Sequence, residues 1–438
     1  MNTTKGWKLY EKAKKIIPGG TQLLSKRPEL AAPGIYPPYA VEAAGCRIKD
    51  VDGNNFVDMA TMGIGTCLLG YADPVVNQAV IDAIQKGSMS SLNFPEEVEL
   101  AELMLETNAW ADMARFARSG GESLAVAVRI ARAASGKEGI AFCGYHGWHD
   151  WYLAANLSED DTLGTHLLPG LEPMGVPPQL TGTIHPFHYN NIGELDGILA
   201  EYGDSIGVII MEPMRYQVPI DNFLHEVRKR ADKLGAALIF DEVTQGWRHA
   251  FGGAHQLFGV SPDIAVYAKA LSNGFPAAAV VGRQNVMEVA QSTFISSTYW
   301  TERIGSAAAC ATLKEFKRRD VPALVKEAGL HVQRIWKKCS EESDIPIEIS
   351  GFPALPHFTF EVPQSDVMST LLVQEMLGKG YLANNSFYAT TAHTPDIINA
   401  FGAALREVFH QLKKYLDSGN PAGALKGPVA LKGFTRLT

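Results

Sequence analysis

Apolar residues recur at helical spacing from about Lys5 to Ile17, which predicts a helix running into Ile17-Pro18-Gly19-Gly20. A Pro-rich stretch, Pro33 to Pro38, follows. CRIKDVDGNNFVDMA then reads as two alternating runs around Asp52-Gly53, a strong short-range hairpin signal. From Asp73 to about Leu313, strand-length apolar runs alternate with helical segments. That alternation belongs to an α/β protein with a mostly parallel sheet covered on both faces. From about Lys314 to Leu416 the pattern becomes helix, short strands and helix, a smaller α+β domain. The expected organisation is an amino-terminal segment, 1–60, joining the small domain, a large domain, 61–313, and a carboxy-terminal small domain, 314–438. There is no internal repeat, and only the tail after about Ser418 reads as loose.

Four of the strand candidates end in chemistry. IAFCG is followed by Tyr145-His146, GVIIM by Glu212, AALIF by Asp241 and DIAVYA by Lys269. Open α/β sheets bind ligands outside the carboxyl ends of their strands, so these residues are expected in one crevice. A lysine at a strand end is partly desolvated, which lowers its pKa toward the amine that attacks an aldehyde. The alternative is a lysine snorkelling from a helix start. A carboxylate buried at Asp241 needs a cationic partner, unless it only caps the segment after it.

RSGGESLAVAVRIARAASG places Ser119-Gly120-Gly121-Glu122 directly ahead of a helix with apolar Leu124, Ala125, Val128 and Ala131. Ser119 and Glu122 have the spacing of a capping box, and the exposed amides of Gly120 and Gly121 also suit a phosphate. Tyr145 and His146, in GYHGWHDWY, offer an aromatic platform at the crevice. His146 and His149 have an i,i+3 spacing but no third ligand, so no metal is expected. His185 and His188 read as loop packing. Asp50 and Asp52 resemble half a calcium loop, yet Asn55 stands where that loop needs glycine, and a turn is expected instead.

Bulk properties narrow the class. A chain of 438 residues exceeds one ordinary core, and 46% hydrophobic with 20% charged residues reads as globular. The net charge of −8, without long runs of one sign, leaves no nucleic-acid footprint. Five dispersed cysteines without a CxxC pair suggest reduced thiols. No apolar window is long enough to cross a membrane, and MNTTKGWKLYEKAKK lacks a signal-peptide core. A cytoplasmic address is expected.

Taken together, IPGG, DVDGN, SGGES, YHG, DEV, GWR, AKALSNGFP and YLANNSFYATTAHT resemble the class III (fold type I) aminotransferases over about Ile17 to Leu416. The resemblance is nearest to glutamate-1-semialdehyde 2,1-aminomutase-like proteins. It implies pyridoxal 5′-phosphate (PLP) carried as a Schiff base on Lys269, and a homodimer with active sites at the subunit interface. It further implies that Asp241 holds the pyridine nitrogen, that Val243 and Tyr145 sandwich the ring, and that Gly120 and Gly121 offer amides to the phosphate. Thr298, in ISSTYW, matches the threonine that reaches the neighbouring subunit's phosphate, and Glu212 the glutamate of a strand-end Glu-Pro pair near the cofactor.

The substrate half departs from that pattern. TQLLSKRPE puts Lys26 and Arg27 near the position of the family's carboxylate-binding arginine. Tyr388 replaces a glutamate, and WTERIG introduces Glu302 and Arg303. The expected activity is amino transfer between a small amine, amino acid or amino-sugar-type donor and a carbonyl acceptor. An intramolecular 1,2-aminomutase or racemase is the alternative. A non-catalytic PLP- or sugar-binding protein is a distant third, against which Lys269 and Asp241 count.

Overall fold

The structure is a computed structural model that describes residues 1–158, 163, 170–214 and 216–433. The chain forms two compact units, Met1–Asp73 with Ala323–Thr438, and Pro74–Pro322.

In the smaller unit, β1 (Ala40–Ala44), β2 (Arg47–Asp50) and β3 (Asn55–Asp58) make an antiparallel meander. The expected hairpin is its second turn, with Gly53 at φ +90°. Both carboxylates in that turn are taken by backbone. Asp50 accepts from the amides of Asp52 and Asn54 at 3.0 and 2.7 Å. Asp52 accepts from the amides of Lys5 and Gly6, at 2.8 Å each, at the start of the helix Thr4–Ile16.

The larger unit is built on seven strands: β4 (Met113–Ala117), β5 (Gly139–Cys143), β6 (Ile184–Pro186), β7 (Ile206–Met211), β8 (Ala237–Asp241), β9 (Ile264–Tyr267) and β10 (Ala278–Gly282). Their order is β4-β10-β9-β8-β7-β5-β6. Strand β10 runs antiparallel to β4 and β9, and the remaining pairs are parallel. Strands buried on both faces read as unbroken apolar runs. Ile140, Phe142, Val208 and Ile210 join a core with Leu124, Ala127, Val128 and Ala131 of the helix Gly120–Ser135. Ala141, Cys143, Ile209 and Met211 point the other way, into a core with Phe223, Val227 and Ala231 of the helix Phe223–Leu234. A period of two in the strands and of about 3.6 in the helices places these faces.

The smaller unit is completed by β11 (Ile347–Phe352) paired antiparallel with β12 (Leu355–Phe360), and by β13 (Tyr381–Leu382), which lies parallel to β3. Both unit boundaries lie later in the chain than residues 60 and 313. Backbone bonds between Gly45 and Tyr71, with the Tyr71 hydroxyl donating to Asp58 at 2.6 Å, keep residues up to 73 with the smaller unit. The helix Arg303–Arg319 packs on the helices Pro74–Gln85 and Glu96–Thr107, so the larger unit extends past 313.

Candidate active site

Parallel register gathers four strand ends of the larger unit. Cys143 pairs with Met211, Met211 with Phe240, and Asp241 with Val266, so β5, β7, β8 and β9 finish in one row. Asp241 closes β8 and is only 3% exposed. Its Oδ1 accepts from the Val243 amide at 3.0 Å, and its Oδ2 lies 2.8 Å from His146 Nδ1.

The partners of His146 fix a proton count. Nε2 faces the Cys143 carbonyl at 3.1 Å, and a carbonyl only accepts, so Nε2 carries a proton. A second proton then lies between Nδ1 and Asp241, whichever of the two owns it. His146 has no exposed surface, stacking on Trp151 and meeting Phe142 and Tyr152 edge to face. It therefore serves Asp241 from below, and the expectation of His146 as part of a ligand-facing platform is corrected by its burial.

Tyr145 is half-buried, with its ring edge-on to Tyr152 at 6.0 Å. Its amide donates to Glu212 Oε2 at 3.3 Å. Gly144, at φ +113°, lies so close to that carboxylate that a Cβ would stand 2.8 Å from Oε2. Buried Glu212 thus shapes the turn that presents Tyr145.

Lys269 follows β9 at φ +44°, a left-handed backbone that costs a non-glycine residue about 1 kcal/mol or more. Its Nζ donates to Thr244 Oγ1 at 2.9 Å. Thr244 was not singled out in the sequence; its position three residues after Asp241, on the same turn, was the available signal.

The start of the helix Gly120–Ser135 differs from the expected capping box. Ser119 makes no side-chain cap, and Glu122 accepts instead from the Arg118 amide at 2.8 Å and from Trp300 Nε1 at 2.9 Å. The glycines answer to packing. A Cβ on Gly120 would lie 3.0 and 3.2 Å from the Val243 methyls, and one on Gly121 would lie 3.3 Å from the His149 ring. The amides of Gly120 and Gly121 belong to a first turn, where no intrahelical acceptor exists.

Thr298 is exposed, and its carbonyl accepts from the Thr301 hydroxyl. Arg118 secures the residues after it, donating to the carbonyls of Tyr299, Trp300 and Glu302 at 2.8, 3.1 and 2.6 Å. Glu302 caps its own helix through the amides of Ile304 and Gly305 and lies 3.4 Å from Arg118. Arg303 pairs with Glu96 at 2.7 Å and lies over the Phe94 ring. Both side chains are committed to structure, which counts against the substrate role expected of them.

Lys26, Arg27 and Tyr388 belong to the smaller unit. Lys26 is exposed, the half-buried Arg27 guanidinium sits against Gly19, and the Tyr388 amide donates to the Ala60 carbonyl at 2.7 Å. Elsewhere, His185 stacks on Tyr202 and His188 lies 2.9 Å from Glu194. Among the described residues no cluster of His, Cys, Asp or Glu could hold a metal, and no helix is long and apolar enough to cross a membrane.

A buried acceptor, an amine just after the adjacent strand and first-turn amides without a side-chain cap suit a group with a basic ring nitrogen, a carbonyl and an anion. The family model for aminotransferase class III matches residues 33–399. The chain belongs to the class III aminotransferases. This PLP-dependent family acts on small-molecule amine donors and carbonyl acceptors. The chain is 32% identical to 3-aminobutyryl-CoA aminotransferase of Cloacimonas acidaminovorans, covering 93% of this chain and 97% of that one. It is 33% identical to glutamate-1-semialdehyde 2,1-aminomutase of Syntrophobacter fumaroxidans, over 88% and 92%. An ω-transaminase structure from Sphaerobacter thermophilus shares the fold with a TM-score of 0.81 at 24% identity, covering 93% and 98%.

Proposed function

We propose that this class III aminotransferase moves an amino group between a small amine, amino acid or amino-sugar-type donor and a carbonyl acceptor, with Lys269 and Asp241 as its catalytic residues. The observation that carries the reading is the pair itself: a buried carboxylate ending β8 beside an amine that follows the adjacent β9. When bound, PLP supplies an electron sink for charge developing on the substrate carbon. Asp241 would keep the ring nitrogen protonated, with His146 holding the carboxylate in place. Val243 and Tyr145 would flank the ring, and the amides of Gly120 and Gly121 would bind the phosphate. Lys269, whose Nζ donates to Thr244, would move the proton at the reacting carbon.

The enzyme is read as a cytoplasmic homodimer without membrane or nucleic-acid partners. Thr298, exposed in its own subunit, would complete the phosphate site of the second copy. Lys26, Arg27 and Tyr388 remain candidates for the substrate side. The similarity to an aminomutase favours the intramolecular 1,2-aminomutase as a second reading.

The test is a panel of amine, amino-acid, amino-sugar and ω-amino-acid donors, following cofactor absorbance and the keto product. Transamination of at least one donor is expected, with little turnover of glutamate-1-semialdehyde. A mutase kcat/KM of roughly 10⁴ M⁻¹s⁻¹ or above would overturn it in favour of the second reading.

A further inference from the structure

We propose that His149 binds the phosphate monoester of the cofactor through Nδ1, beside the first-turn amides of the helix Gly120–Ser135. The proposal rests on the PLP reading above and adds a residue to the same site.

Three observations bring His149 there. Gly144 and Gly147, at φ +113° and +99°, turn the chain after β5 back over the helix start. A Cβ on Gly147 would lie only 3.1 Å from the Gly121 Cα, so backbone rests on backbone. The His149 imidazole then occupies the space that a side chain at position 121 would fill. Its Cε1 and Nδ1 each lie 3.3 Å from where a Gly121 Cβ would be.

The ring is half-buried, and its buried edge is polar. Trp148 stacks on it at 4.4 Å and 23°. Nδ1 is buried and has no hydrogen-bond partner among the described residues, an arrangement that is destabilising unless something meets it. Glu122, the carboxylate nearest in sequence to the cradle, does not do so, its oxygens accepting instead from Arg118 and Trp300. The Ser119 hydroxyl, for its part, does not cap the helix. Nδ1 and the uncapped amides are therefore donors in one neighbourhood, and a phosphate monoester offers three acceptor oxygens.

Burial holds the His149 pKa below the ordinary imidazole value, while Glu122 and Asp150 act to raise it. A neutral ring carries one proton, and an acceptor at Nδ1 selects the tautomer that donates from there.

The experiment measures dissociation of PLP and of pyridoxal, which lacks the phosphate, from the apoprotein by fluorescence. Wild type should prefer PLP strongly. His149→Ala is expected to weaken PLP about tenfold, the scale of one charge-assisted hydrogen bond, and to leave pyridoxal unchanged. His149→Asn, whose amide nitrogen can stand at the Nδ1 position, should retain PLP to within about threefold. If the alanine variant does not fold, His149→Gln, which reaches toward the Nε2 position instead, supplies the loss arm against Asn. Equal weakening of both ligands, or no change in either, overturns the assignment of His149. Absence of any phosphate preference in wild type overturns the PLP cradle itself.

Discussion

Replacing His146 with Phe removes both of its hydrogen bonds while keeping an aromatic ring among Phe142, Trp151 and Tyr152. Asp241 Oδ2 then loses its 2.8 Å partner at a site only 3% exposed, and Oδ1 keeps only the Val243 amide. The Cys143 carbonyl loses its 3.1 Å donor as well. Leaving a buried acceptor without its donor costs about 1–3 kcal/mol. Two acceptors lose a donor here while Phe largely conserves the ring's packing, so about 3 kcal/mol is expected. That is roughly a hundredfold in the folding equilibrium. The assay is urea unfolding of the apoprotein at neutral pH, followed by tryptophan fluorescence. His146→Asn, which can still donate to Asp241 from the Nδ1 position, should recover a substantial part of the loss. A cost below about 1 kcal/mol for the Phe variant, or an Asn variant no better than Phe, would refute the view that His146 exists to hold Asp241.

Gly120→Ala should destabilise by about 1–2 kcal/mol, because its Cβ meets the Val243 methyls at 3.0 and 3.2 Å; thermal unfolding should show Val243→Ala restoring most of it. His249 and His393 are both held near a pKa of about 4 by burial. The unfolded imidazoles bind protons first, so stability present above about pH 6.5 is lost as pH falls toward 4, by up to about 3 kcal/mol for each. Unfolding midpoints across that range should fall less steeply in His393→Gln than in wild type. Mixing Lys269→Ala with Thr298→Ala protein should restore part of the activity in hybrid dimers. Self-contained sites would restore none.

How much could be read from the chain depended on whether the deciding contacts were local. Strands β5, β7 and β8 are buried on both faces, so their apolar runs were continuous and their ends conspicuous. The polar residues at the ends of β7 and β8 were Glu212 and Asp241, and Lys269 follows the likewise buried β9. The DVDGN turn was legible because Asp50 and Gly53 act within it, Asp50 accepting from the Asp52 and Asn54 amides, whereas the tie from Asp52 to the first helix was not. The capping box failed because Glu122 is claimed by Trp300, 178 positions away, a partner no local spacing announces. His146 read as part of an aromatic platform with Tyr145 at the crevice, and only the packing of Trp151 and Tyr152 reveals its burial. Glu302 and Arg303 read as substrate-pocket groups or an interface ion pair because the groups that engage them, Arg118 and Glu96, lie far back in the chain. Strand-end residues were therefore more legible than groups whose partners lie far away in the chain.

The central claim is that Lys269 is the lysine that carries PLP. Wild-type protein is incubated with PLP and reduced with borohydride, then digested, and the modified peptide is sequenced by mass spectrometry. A phosphopyridoxyl group is expected on Lys269, with no adduct in that region of Lys269→Ala protein. Label on another lysine, or an undiminished adduct in the variant, would contradict it.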